Sequence, residues 1–456
     1  MTRYWSNPSL WLLLGAAVLL LGIGSLVVNQ LDLNMPEIDS APSEAEQPAE
    51  DVAAQAPAVE SSAAEAPVAE SSVAEASAAD APAAAAAESG RRGPTILTGD
   101  DRPDRLRSLT SAWNTNWELH TIDYQEILSG GPPRDGIPSI DDPQFVDQAA
   151  AGEWLADNEP VIALEIEGDA RAYPLQVVTW HEIVNDTVGD VPVVVTFCPL
   201  CNSALVFDRR FDGQVFEFGV SGLLRNSDLI MYDRTTESLW QQFTGEGIVG
   251  DLAGEQLTFL PSSLVSFADF KAAHPEGLIL SRDTGFNRAY GSNPYEGYDS
   301  IGSNPFLFRG PTDGRLEAVE RVVTVSLAGA GVDVAYPLTI LSEVGVINDS
   351  QGGQDLVVFH KDGTSSALGA RDIANAEDVG ATGVFDPNVN GQKLTFRQDG
   401  EKIVDEETGS SWNILGQAVD GSLAGEELSP VVHGDHFWFS WAAFKPDTII
   451  FGGDAE

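Results

Sequence analysis

The apolar positions of the chain fall into three regimes. From Leu10 to Val28 they run almost without interruption. About twenty such residues cross a bilayer as a helix. Arg3 precedes the run and acidic residues follow it, which predicts an N-terminus kept inside and a remainder exported. No A-x-A site or lipobox cysteine follows directly. An uncleaved anchor over residues 9–29, behind a cytoplasmic tail of residues 1–8, is therefore expected over a cleaved signal peptide. From Asp32 to Glu88 the periodicity is lost. Ala, Pro, Ser, Glu and Val dominate, with no Lys, Arg or aromatic residue. Such a stretch has too little to bury, so residues 30–92 are expected to be a disordered acidic linker. Beyond it, short runs rich in Val and Phe alternate with polar residues, separated by turns such as Asp212-Gly213 and Asp399-Gly400. This pattern predicts a β-rich body with a few short helices, two of them at Ser266 to Ala273 and Ser440 to Phe444.

The body repeats itself. Val161-Ile-Ala-Leu-Glu-Ile-Glu-Gly-Asp-Ala-Arg-Ala-Tyr-Pro-Leu175 matches Val322-Val-Thr-Val-Ser-Leu-Ala-Gly-Ala-Gly-Val-Asp-Val-Ala-Tyr-Pro-Leu338. Ile183-Val-Asn-Asp186 matches Val346-Ile-Asn-Asp349, and Tyr232 to Trp240 matches Val404 to Trp412. Leu252-Ala-Gly-Glu-Gln-Leu257 and Leu423-Ala-Gly-Glu-Glu-Leu428 follow, then Phe267-Ala-Asp-Phe-Lys271 and Trp441-Ala-Ala-Phe-Lys445. The expected organisation is an extension (93–150), a first repeat domain (151–290), a connector (291–320) and a second, degenerate repeat domain (321–453). Each copy is about 120 to 130 residues, a normal domain size. Residues shared by both copies read as scaffold: Tyr173/Tyr336, Asn185/Asn348, Asp186/Asp349 and Trp240/Trp412. Positions reactive in one copy and bland in the other are candidates for chemistry. Cys198 falls opposite His360, His181 opposite Val344, and Glu182 opposite Gly345. Arg225-Asn-Ser-Asp228 has no counterpart in the second copy.

Charge narrows the partners. Against 24 basic residues stand 70 acidic ones, a formal net charge of −46. Nucleic acid and anionic membrane surfaces would be repelled, so no nucleic-acid partner is expected. Such acidity suits a high-salt habitat. The membrane is reached only through the N-terminal helix. Protein and small-molecule partners are not indicated.

The chain's two cysteines, Cys198 and Cys201, sit at C-P-L-C spacing between two apolar runs, at a tight strand-to-strand turn. Three readings stay open. The pair can hold a metal, copper or zinc, with His181 as third ligand. It can act as a thiol-redox pair. It can be a structural disulfide in an oxidising compartment. Arg225, Asn226, Asp228, Tyr232 and Arg234 form a polar set suited to substrate binding, or else to a salt-bridged strand pair. Met231 is a soft-ligand candidate or a core residue. His433-Gly-Asp-His436 is a weaker metal candidate. The loop Asp283 to Tyr295 either covers the site or links the copies.

Phe197-Cys-Pro-Leu-Cys-Asn-Ser-Ala-Leu-Val-Phe-Asp-Arg209, Val220-Ser-Gly-Leu-Leu-Arg-Asn-Ser-Asp228, Tyr232-Asp-Arg234 and Ser238 to Glu246 resemble domain-of-unknown-function family 3179. The resemblance implies an exported bacterial or archaeal protein. It also implies that the C-P-x-C, His-Glu and Arg-Asn-Ser-Asp positions belong to one pattern. It brings no activity with it, so enzyme and non-enzyme both stand. The expected protein is membrane-anchored with its body outside the cytoplasm, periplasmic or at the cell surface. Its first repeat carries a Cys198/Cys201/His181 metal or redox site. The alternative is a non-enzymatic surface module stapled by Cys198–Cys201.

Overall fold

Short Val- and Phe-rich runs punctuated by turn residues give short strands, and the computed structural model, which describes residues 94–453, is β-rich as expected. Among the described residues no helix exceeds seven residues, and none is long and apolar enough to cross a membrane. The expected anchor and linker lie outside the described residues. Both expected short helices form, as Phe267–Ala273 and Trp438–Phe444. The first is capped by Ser266, whose hydroxyl accepts the Asp269 N–H at 3.0 Å.

Strands within 151–290 build three larger sheets and a two-stranded ribbon, and strands within 321–453 build the same set in the same order. In one, Ser263–Ser266, Pro160–Ile166, Asp169–Pro174 and Leu278–Leu280 lie side by side, the last pair parallel. In its counterpart His433–Phe437, Arg321–Leu327, Val332–Pro337 and Ile449–Ile450 do the same, again with the last pair parallel. The second sheet orders Thr258–Leu260, Ser203–Asp208, Val191–Cys198 and Ile183–Val188; its counterpart orders Ser429–Pro430, Ala381–Asp386, Gln354–Lys361 and Val346–Gln351. The third orders Glu246–Val249, Leu239–Gln241, Asp228–Asp233 and Phe218–Arg225, against Ala418–Asp420, Ser411–Trp412, Lys402–Asp405 and Phe396–Asp399. Residues 94–150 are woven into the first half. Leu119–His120 and Ile127–Ser129 extend its third sheet, and Phe145–Val146 its first.

The residues shared between halves make the same bonds. Tyr173 Oη donates to Asp186 at 2.6 Å and Tyr336 Oη to Asp349 at 3.0 Å. Trp240 Nε1 donates to Asp233 and Trp412 Nε1 to Asp405, both at 3.0 Å. Asn185 takes the N–H and C=O of Phe218, as Asn348 takes those of Phe396. The halves also share their cores. One hydrophobic cluster joins Ile162, Phe197 and Trp240 to Val322, Phe437 and Trp441; another joins Val161 and Phe267 to Phe359 and Trp412. Burial of this apolar surface holds the two halves as one body.

Candidate functional site

Two turns meet to make the site. Strands β1 (Val191–Cys198) and β2 (Ser203–Asp208) pair up to Cys198 opposite Ser203. The intervening turn is wound by Cys201 N–H to Cys198 O at 3.2 Å and Asn202 N–H to Pro199 O at 3.3 Å. Asn202 takes the left-handed conformation there (φ 51°), which Asn tolerates better than most residues. Strands β3 (Phe218–Arg225) and β4 (Asp228–Asp233) are joined by Asn226 and Ser227 alone, both left-handed (φ 51° and 72°). Two positive φ values in a two-residue loop match the right-handed strand twist. This hairpin sets Asp228 beside the cysteine turn. One ligand atom each from Cys198, Cys201 and Asp228 lie within 4.8 Å of one another, and all three residues are buried.

The site is an unneutralised acidic pocket. Asp228 Oδ2 accepts from Gln241 Nε2 at 2.6 Å and from the Phe243 N–H at 3.0 Å, while Oδ1 has no partner. Burial raises the Asp228 carboxyl to about 7. Burial and the Asp228 charge raise Glu182 to about 8. Burial likewise raises the Cys198 thiol, and the Cys201 thiol well above its ordinary value. Among the described residues no Lys or Arg forms an ion pair with Glu182 or Asp228; Arg225, opposite Asp228 in the hairpin, bonds Glu126 and Gln241 instead. Glu182 is also strained at φ 59°, where the second half has the unstrained Gly345 at φ 69°. An acid where a glycine fits costs about 1 kcal/mol.

His181, expected as third ligand, lies outside this group, in which Asp228 stands with the two cysteines instead. Both ring nitrogens of His181 are engaged elsewhere, Nδ1 with Pro138 O at 2.7 Å and Nε2 with Tyr290 Oη at 2.6 Å. Burial lowers its pKa. The segment after Asp283 covers the site. Tyr298 Oη donates to Leu200 O at 3.1 Å, Phe306 N–H donates to Tyr298 Oη, and Ser227 Oγ donates to Phe306 O. The second half closes the other side, with Phe437 N–H on Cys201 O at 3.0 Å and Asn202 Nδ2 on Asp435 O at 3.1 Å.

The remaining candidates disperse. Arg225 is held by Glu126 at 2.7 Å and reaches Gln241. Tyr232 and Arg234 belong to a separate network, Tyr232 Oη donating to Asp135 at 2.6 Å and Arg234 to Tyr232 and Ser139 at 2.8 Å each. Of the polar set, Asp228 alone joins the cysteines. Met231 is a buried core residue. Neither His433 nor His436 falls in a metal-sized group among the described residues. The cysteines are free thiols, not a disulfide. Register also supplies the missing counterpart of Arg225–Asp228: the hairpin pair Asp399–Lys402. There Lys402 replaces Asp228, His360 replaces Cys198, and both border an open cleft of about 490 Å³.

Fold and site together define a mainly-β protein with a closed dithiol–carboxylate centre. The chain belongs to the family described as "Protein of unknown function (DUF3179)", whose model matches residues 134–448. No curated protein and no solved structure matches it.

Proposed function

We propose that this is a metal-binding protein, with Cys198, Cys201 and Asp228 holding zinc or copper. The observation that carries the reading is the convergence of three buried acidic donors that, among the described residues, form no ion pair with Lys or Arg. A bound cation would displace their protons and supply the counter-charge that the ionised donors lack. Two thiolates suit a borderline or soft ion, and the carboxylate with its free Oδ1 suits zinc. The shared strand order and the twin bonds support descent of both halves from one duplicated unit. On that reading the first half kept the acidic centre, while His360 and Lys402 replaced it in the second. The Leu10–Val28 run supports an anchor that holds the body outside the cytoplasm.

Metal analysis of protein purified without chelator, paired with thiol titration, tests the reading. One metal per chain is expected, with both thiols unreactive until a chelator is added. No stoichiometric metal, with reduction changing only stability, would leave the cysteines as a staple.

A further inference from the structure

A second site lies where the two halves meet. A cleft of about 550 Å³ opens between the turn that follows Leu239–Gln241 and the helix Trp438–Phe444. Its wall is aromatic. Phe243 stacks on Phe444 at 4.8 Å and 18°, lies 6.0 Å from Trp441, and touches the His436 ring at 4.4 Å. Phe259 lines the same cleft.

Glu246 is the one carboxylate of this wall, and of its basic side chains His433 is held by the Val431 carbonyl at 2.9 Å. Burial holds His436 neutral, its pKa lowered to about 3. Lys445 is neutralised by the Asp333 carboxylate at 3.3 Å. Glu246 contributes a carboxylate that accepts from Thr121 Oγ1 at 2.8 Å and, among the described residues, pairs with no Lys or Arg. Aromatic faces attract cations through the ring quadrupole, most strongly where water is thin. Phe444 already carries one, the Arg225 guanidinium at 5.3 Å from its ring centroid. A chain of net charge −46 adds a favourable long-range field.

We propose that this cleft binds an organic ammonium cation, a methylated amine with apolar substituents. The site is independent of the metal reading. Its volume exceeds such a headgroup, so the natural ligand carries a longer apolar portion along Phe243 and Trp441.

Equilibrium dialysis of radiolabelled choline against the full chain in detergent tests this. Working at about 1 M NaCl, where the Debye length is about 3 Å, removes diffuse attraction to the acidic surface. One saturable site is expected. The neutral isostere 3,3-dimethyl-1-butanol should compete at least about tenfold more weakly than unlabelled choline, and E246Q and F444L should each weaken choline binding about tenfold. Thermal melting checks that both variants fold; if F444L does not, E246Q and the isostere decide. Absence of saturable binding, equal competition by the isostere, or binding untouched by E246Q overturns the proposal.

Discussion

The Phe243 N–H donates to Asp228 Oδ2 at 3.0 Å, and Gln241 Nε2 donates to the same oxygen at 2.6 Å. One carboxylate oxygen is thus committed to the fold, and Oδ1 is left over. The substitution D228N separates the two roles. Its amide oxygen accepts both N–H groups, while its NH2 stands where Oδ1 stood and cannot ligate. Zinc affinity should fall on the order of a hundredfold, with the melting temperature of metal-free protein nearly unchanged at about pH 5.5, where the Asp228 carboxyl is protonated. Competition titration against a chromophoric chelator measures the first, and calorimetry the second. Wild-type zinc affinity in D228N would remove Asp228 from the site.

His181 gives the converse case. Its nitrogens tie Pro138 to Tyr290, joining the extension to the covering segment. H181A should leave zinc affinity within about threefold and cost about 1–3 kcal/mol of stability through two lost buried hydrogen bonds. A hundredfold loss of zinc affinity at unchanged stability would restore the imidazole as a ligand.

The acidic centre sets a pH dependence for metal-free protein. Glu182 and Asp228 titrate near 8 and 7 in the fold, above the ordinary carboxyl range. The folded chain therefore holds more protons than the unfolded chain between about pH 4 and about pH 8. Stability from these groups is fully present below about pH 4 and is lost as pH rises through 7 and 8. Chelated protein should melt lower at pH 8.5 than at pH 5.5, E182Q should flatten that slope, and zinc should restore the high-pH melting point. A slope of opposite sign in chelated protein counts against an unneutralised cluster.

Much of this was legible in the chain. Alternation in Val161 to Ile166 and Val322 to Leu327, each followed by a strand ending Ala-Tyr-Pro, marks paired strands, and they pair. The cysteine turn reads correctly because two apolar runs flank it at hairpin distance. The third acid was harder. Asp228 reaches the cysteines from another sheet, by a closure that local pattern does not encode. The signal available was an acid opening the apolar run Leu229-Ile-Met231 directly after Asn226-Ser227, a pair that accepts two left-handed residues. His181 misled because nearness in sequence stood in for nearness in space. The hairpin Asp399–Lys402 escaped notice because it shares register, not residue types, with Arg225–Asp228.

The twin asparagines allow burial to be weighed with the backbone bonding held constant, Asn185 alone donating also to Asp141, at 2.7 Å. Asn185 and Asn348 each satisfy one backbone N–H and one C=O of a phenylalanine on the neighbouring sheet. Asn185 is 3% exposed, whereas Asn348 lies at the surface. Where water reaches the orphaned groups it replaces the lost bonds; where it does not, the full desolvation cost remains. N185A should therefore cost about 2–4 kcal/mol and N348A about 1 kcal/mol or less. Denaturant unfolding of each variant, with the slope checked for constancy, reads both. Equal costs would mean that the bonds themselves, and not their shielding from water, set the stability of this bridge, and the same would then apply to the paired tyrosines Tyr173 and Tyr336.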